Sequence, residues 1–136
     1  MDIKECKSFL KMSDLYFSKF IFENDKLSEK KEQKVDISYN INGDISDGEN
    51  KVKVSIDLNI KSQDERMSLY LQTIGVFEID ARNIDQETKD FILKRNTIAI
   101  MFPFIRSQVS LITTQPGMQP IILQPIDVNK LVESKR

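Results

Sequence analysis

Two stretches of strict alternation constrain this chain more than anything else in it. From Lys34 to Asn42 the apolar side chains fall on Val35, Ile37, Tyr39 and Ile41, with polar residues between them. From Lys51 to Lys61 they fall on Val52, Val54, Ile56, Leu58 and Ile60, again with every intervening residue polar. A period of two places successive side chains on opposite faces, so both stretches are strands with one dry face and one wet face. The linker Gly43-Asp44-Ile45-Ser46-Asp47-Gly48 is rich in turn formers, and the two strands are expected to pair as a hairpin.

Two further strands flank this pair. Leu15 to Phe22 is β-branched and aromatic, with a slip in its alternation near Ser18-Lys19 that points to a bulge. Met67, Leu69, Leu71 and Thr73 continue a one-faced pattern, after which Ile74, Val76 and Ile79 shift the parity. The polar link Ser62-Gln63-Asp64-Glu65 suits a second hairpin. The charged segment from Glu23 to Gln33 is longer than a tight turn needs and can carry the chain across a sheet end.

Beyond Ile79 the periodicity becomes helical. Asp85 to Arg95 predicts a short helix, with acids in its first turn and bases in its last. Asn96 is a candidate cap for a second, longer helix reaching about Thr113, in which Pro103 should cause a kink or a restart. The apolar residues of this helix, from Ile98 and Ile100 through Phe104 and Ile105 to Leu111 and Ile112, occupy most of its circumference. A helix apolar nearly all round is buried on more than one side. One four-stranded sheet covers only one side, so a second subunit is expected on the other. A Pro-Gly loop from Gln115 to Pro125 follows, and Asp127 can cap a last helix carrying Val128, Leu131 and Val132. The reading is one α+β domain over residues 1–136, a four-stranded antiparallel sheet followed by helices packed on one face, and oligomeric.

Composition narrows the function. Twenty basic and twenty-one acidic residues leave a net charge of -1, without the basic excess that phosphate neutralisation demands of nucleic-acid binders. Histidine is absent, which removes the usual general base, the commonest metal ligand and every Ser-His or Cys-His nucleophile pair. No phosphate-cradling glycine motif is present, and Glu65, Glu78, Asp80 and Asp85 offer no paired carboxylates. No enzyme, cofactor or metal is expected. The lone Cys6, the mixed charges of the first residues and the short apolar run from Ile98 to Ile105 fit a cytoplasmic protein that does not insert into membranes.

The second half of the chain resembles the SecB family of protein-export chaperones. That family carries an I-L-F-P-[YF]-x-R core in its main helix, and here stand Ile100-Met101-Phe102-Pro103-Phe104-Ile105-Arg106. Its G-x-x-P-x-x-L-x-P-[VI] loop is matched by Gly117-Met118-Gln119-Pro120-Ile121-Ile122-Leu123-Gln124-Pro125-Ile126, and Gly75-Val76-Phe77 matches the motif ending its fourth strand. The resemblance implies an ATP-independent holdase, a homotetramer built as a dimer of dimers, that keeps unfolded polypeptides in apolar grooves. Candidate peptide contacts are Met101, Phe102 and Phe104 on the main helix, and Met118, Ile122 and Leu123 in the loop. Phe77 of the fourth strand and Leu131 of the last helix complete the set. Core packing is the competing role for each aromatic.

In the family, docking onto the motor ATPase SecA uses acidic side chains on the exposed sheet face. Glu23 keeps one acid, while Lys19 and Tyr70 stand where two others are expected; a base in place of an acid reverses the local field. SecB-like proteins also serve toxin–antitoxin systems, so a dedicated chaperone of one client such as an antitoxin is the first alternative. A small-molecule-binding or structural module is the second.

Overall fold

The computed structural model describes residues 10–25, 33–43, 51–79 and 86–125. Strands β1 (Leu10–Asn24), β2 (Gln33–Gly43), β3 (Lys51–Ser62) and β4 (Met67–Ile79) precede one long helix, α1 (Gln86–Ile112). The strands form a single antiparallel sheet in the order β1-β4-β3-β2. Three consecutive strands are joined as hairpins, and β1 lies beside β4, a Greek-key arrangement. β1 and β2 are thus the two edges of the sheet, and the charged link expected to cross the sheet end lies, beyond Asp25, outside the described residues.

Both alternating stretches are strands, in continuous register from Gln33 opposite Ser62 to Gly43 opposite Val52. The β3–β4 turn is held locally. Glu65 takes a positive φ of 60°, its N–H donates to the Ser62 carbonyl, and the Ser62 hydroxyl accepts from the Met67 N–H at 3.0 Å. The first strand is longer than the expected Leu15–Phe22 and contains two irregularities, between Met12 and Asp14 and between Phe17 and Lys19. The second is the slip visible in the sequence. Serine is the extra residue at each, and its hydroxyl donates to the neighbouring strand, Ser13 to the Val76 carbonyl and Ser18 to the Gln72 side chain. A bulge residue loses its ladder partner; a hydroxyl restores one.

The expected parity shift in β4 does not occur. Met67, Leu69, Leu71, Thr73, Gly75, Phe77 and Ile79 are all buried in unbroken alternation, with glycine holding the inward position where a side chain would collide. A Cβ on Gly75 would stand 2.8 Å from the Met101 sulfur and 2.8 Å from the Phe77 ring. Ile74 is buried as well, on the opposite face, and that made the pattern look shifted.

The expected break at Asn96 is likewise absent, and α1 runs unbroken through Asn96 and Pro103. Pro103 and Ala99 are both exposed, so the carbonyl that proline leaves unbonded lies on the solvent side. Thr97, buried at the supposed junction, bonds the Leu93 carbonyl at 2.7 Å and is satisfied within the helix. The core is one cluster in which Val54, Ile56, Leu58, Leu69, Leu71 and Phe77 of the sheet meet Ile98, Met101, Ile105 and Val109 of α1. The expected last helix, Cys6 and the tip of the β2–β3 turn lie outside the described residues.

Candidate functional site

The helix ends in a turn written in its sequence. Gln115-Pro116-Gly117-Met118 has proline at the second position and glycine at the third, where φ is 74°. The Met118 N–H donates to the Gln115 carbonyl at 3.1 Å, the pattern of a type II turn. The chain then doubles back along α1 as an extended strap between Pro120 and Pro125.

Three side chains in line, Arg106 and Ser110 of α1 and Thr113 just past its end, hold the strap's backbone. The Arg106 Nε donates to the Leu123 carbonyl at 2.9 Å, and the Ser110 hydroxyl donates to the Ile121 carbonyl at 3.0 Å. The Thr113 hydroxyl accepts from the Ile121 N–H at 2.8 Å and donates to the Val109 carbonyl. Ile121 and Leu123 turn into the core, and Ile122 between them is 73% exposed.

A second apolar feature follows α1 itself. Ile100, Phe104 and Leu111 recur with Ser107 at spacings of four, three and four, the interval that keeps side chains on one stripe. Ile100 is half-buried, while Phe104 and Leu111 are exposed, Leu111 by 67%. The candidate contacts of the sequence thus divide. Phe77, Met101, Phe102 and Leu123 are buried within the subunit, and Met118 is half-buried against the same cluster. Phe104 and Ile122 are the two that face outward, and Leu131 lies outside the described residues. Leu111 escaped selection as a contact, as did the polar line Arg106, Ser110 and Thr113; their spacing along α1 was the available signal.

The opposite face of the sheet mixes charged and polar residues with an apolar group, Tyr16, Ile21, Ile74 and Val76. Lys11 and Lys51 lie on either side of Glu78 in the ladder, and Lys19 lies opposite Gln72. Asp57 accepts from the Tyr70 hydroxyl at 3.2 Å and the Gln72 amide at 3.1 Å. Partial burial, and then the charge and hydrogen bond of Asp57, raise the Tyr70 pKa. Glu23 is exposed on this face, opposite Ser68, sharing it with Lys19 and Tyr70. Among the described residues no group of three or more His, Cys, Asp or Glu is placed to hold a metal ion, and no helix is long and apolar enough to cross a membrane.

A sheet of order β1-β4-β3-β2 carrying a long helix and a proline-bounded strap has counterparts among known proteins. The model of the family described as preprotein translocase subunit SecB matches residues 4–136. The chain belongs to the SecB family. Among SecB proteins, the protein-export protein SecB of Rickettsia akari is 32% identical over 104 residues, covering 74% of this chain and 67% of that protein. The Rickettsia felis SecB is 31% identical over the same shares. Among solved structures, the Mycobacterium tuberculosis SecB-like chaperone in complex with a peptide from the HigA1 antitoxin superposes with a TM-score of 0.72. It is 12% identical and covers 91% of this chain and 92% of that one, a likeness of fold. A Streptococcus agalactiae protein of unknown function aligns at a TM-score of 0.53 with 7% identity over 85% of this chain.

Proposed function

We propose that this SecB-family chain is a cytoplasmic, ATP-independent holdase with no catalytic role, which binds non-native polypeptides and keeps them competent for export. The observation that carries the reading is the helix side of the subunit. With the core already filled, Phe104, Leu111 and Ile122 remain largely exposed. Exposed apolar surface of this kind marks a site of association. The stripe Ile100, Phe104 and Leu111 has the spacing of a helix–helix seam, which supports assembly into an oligomer, with a tetramer as the expected form. Client segments are then held on the apolar surface left around the strap, and selection falls on unfoldedness because an apolar groove reads no particular sequence.

Delivery to SecA is expected to be weak. Glu23 stands on a face where Lys19 and Tyr70 supply no acid, and the mixed lysines around them repel a basic partner. A second reading, a chaperone dedicated to one client, is favoured by the likeness to a SecB-like chaperone solved with an antitoxin peptide.

Light scattering of a chemically denatured, aggregation-prone protein diluted into the purified chain without nucleotide tests the proposal. Suppression near one assembly per client, unchanged by ATP, is the expected result. Undiminished aggregation of several unrelated clients would remove general chaperoning and leave the dedicated reading.

A further inference from the structure

The strap has no strand to pair with, and yet its backbone is bonded. Proline at 120 and 125 fixes φ at those positions and disfavours helix at Gln119 and Gln124, and between them Ile121, Ile122 and Leu123 alternate buried, exposed and buried, the pattern of an extended segment. The two carbonyls and one amide that a sheet would satisfy are met instead by Leu123 to Arg106, Ile121 to Ser110 and Ile121 to Thr113. Those three positions fall at i, i+4 and i+7, with Thr113 continuing the helical bonding one residue past α1, and lie on one line. Ile121 and Leu123 are sunk to 5% and 8% exposure. In an extended segment alternate side chains point oppositely, so sinking both neighbours forces Ile122 into solvent.

We infer that Arg106, Ser110 and Thr113 are positioning residues for client binding. They touch the strap and not the client, and their role is to hold Ile122 outward as a fixed apolar anchor. The inference rests on the holdase reading and adds to it the residues that preorganise one contact. The client group taken there is an apolar side chain of an unfolded segment. A rigid anchor binds it without first losing its own freedom, which lowers the ordering cost of association. Were the strap loose, Ile122 could collapse onto α1 and the anchor would vanish with no change in composition.

A double-mutant cycle on the full chain separates positioning from general damage. The probe is a fluorescently labelled, permanently unfolded polypeptide, reduced and carboxymethylated lactalbumin, followed by anisotropy. Ile122→Ala is expected to weaken binding about tenfold, and Arg106→Met with Thr113→Val about fivefold, as removal of one anchor and of its support. In the Ile122→Ala background the Arg106→Met, Thr113→Val pair should cost almost nothing more. Thr113→Ser, which keeps the hydroxyl, should restore wild-type affinity and the slow exchange of the Ile121 amide. Should the paired variant not fold, Ser110→Ala removes one bond with little change in bulk and should show the same pattern on a smaller scale. Losses that multiply, or an Ile122→Ala chain that binds as wild type, would overturn the inference and leave the holdase reading standing. A wild-type chain that neither binds the probe nor suppresses aggregation takes both down together.

Discussion

On one side of α1, Ile98, Met101, Ile105, Val109 and Ile112 are sealed in the core; on the other, Ile100, Phe104 and Leu111 recur at similar intervals and face outward or half outward. Both stripes carry large apolar side chains, so residue type alone does not decide which is buried. The sheet offers α1 one face, and α1 can turn only one stripe to it. What remains apolar on the helix is surplus to the stability of a single subunit, and surplus of this kind is where association is expected.

Unequal responses to mutation would expose the difference. Ile105→Ala on the sealed side removes a fully buried side chain and should destabilise the subunit by about 3–4 kcal/mol, read as a shift in the urea midpoint. Phe104→Asp on the open side should leave subunit stability within about 0.5 kcal/mol. Its expected effect is on assembly, a fall in molar mass by light scattering together with weaker suppression of aggregation. If both variants unfold alike, the two sides are not distinct. Gly75→Ala probes the seating of the sealed side, since the added methyl meets the Met101 sulfur and the Phe77 ring; overpacking there should cost about 1–2 kcal/mol. A Met101→Leu partner change, which keeps the volume and moves the chain end, should recover part of that loss.

Smaller effects are expected within the sheet. The Thr73 hydroxyl is the one buried side-chain oxygen without a hydrogen-bond partner among the described residues. Thr73→Val keeps the shape and removes the unpaired group, and it should stabilise the fold by about 1 kcal/mol. Tyr70 gives a pH signature on the face away from α1. Its pKa is raised in the folded chain, so the folded state holds the proton more tightly than the unfolded one. That contribution is complete below the ordinary tyrosine value of about 10 and is lost as pH climbs through the raised value. Tyr70→Phe should flatten the alkaline fall in stability, measured by denaturation at stepped pH.

How much of this was legible depended on whether a pattern was local. Alternation at Val35–Ile41 and Val52–Ile60 predicts strands and hairpin because side-chain parity needs no tertiary information. The bulge after Phe17 shows as a break in that parity. The continuity of β4 did not show, because Gly75 contributes no hydrophobic mark at the position where Met101 supplies the missing bulk from another element. The continuity of α1 through Asn96 and Pro103 was also hidden. A cap residue and a proline are local stop signals, and packing of Ile92, Leu93 and Ile98 into one core overrode them. The site divided in the same way. The motif around Pro103 and the loop up to Pro125 are readable as a family resemblance. Which of their apolar residues face water is decided by the strap, whose bonds join residues up to 17 positions apart.

The Greek-key order also has a cost in time. The first strand pairs only with the last, and Ser13 bonds a carbonyl 63 residues further along. During synthesis β1 must emerge and wait, with Phe17, Phe20, Ile21 and Phe22 unpaired, until β4 has followed it out. Contacts of such long range form slowly and leave sticky edges open in the meantime. A protein proposed to shelter unfinished chains therefore spends the first part of its own life as one, and its nascent β1 resembles the segments it is proposed to hold.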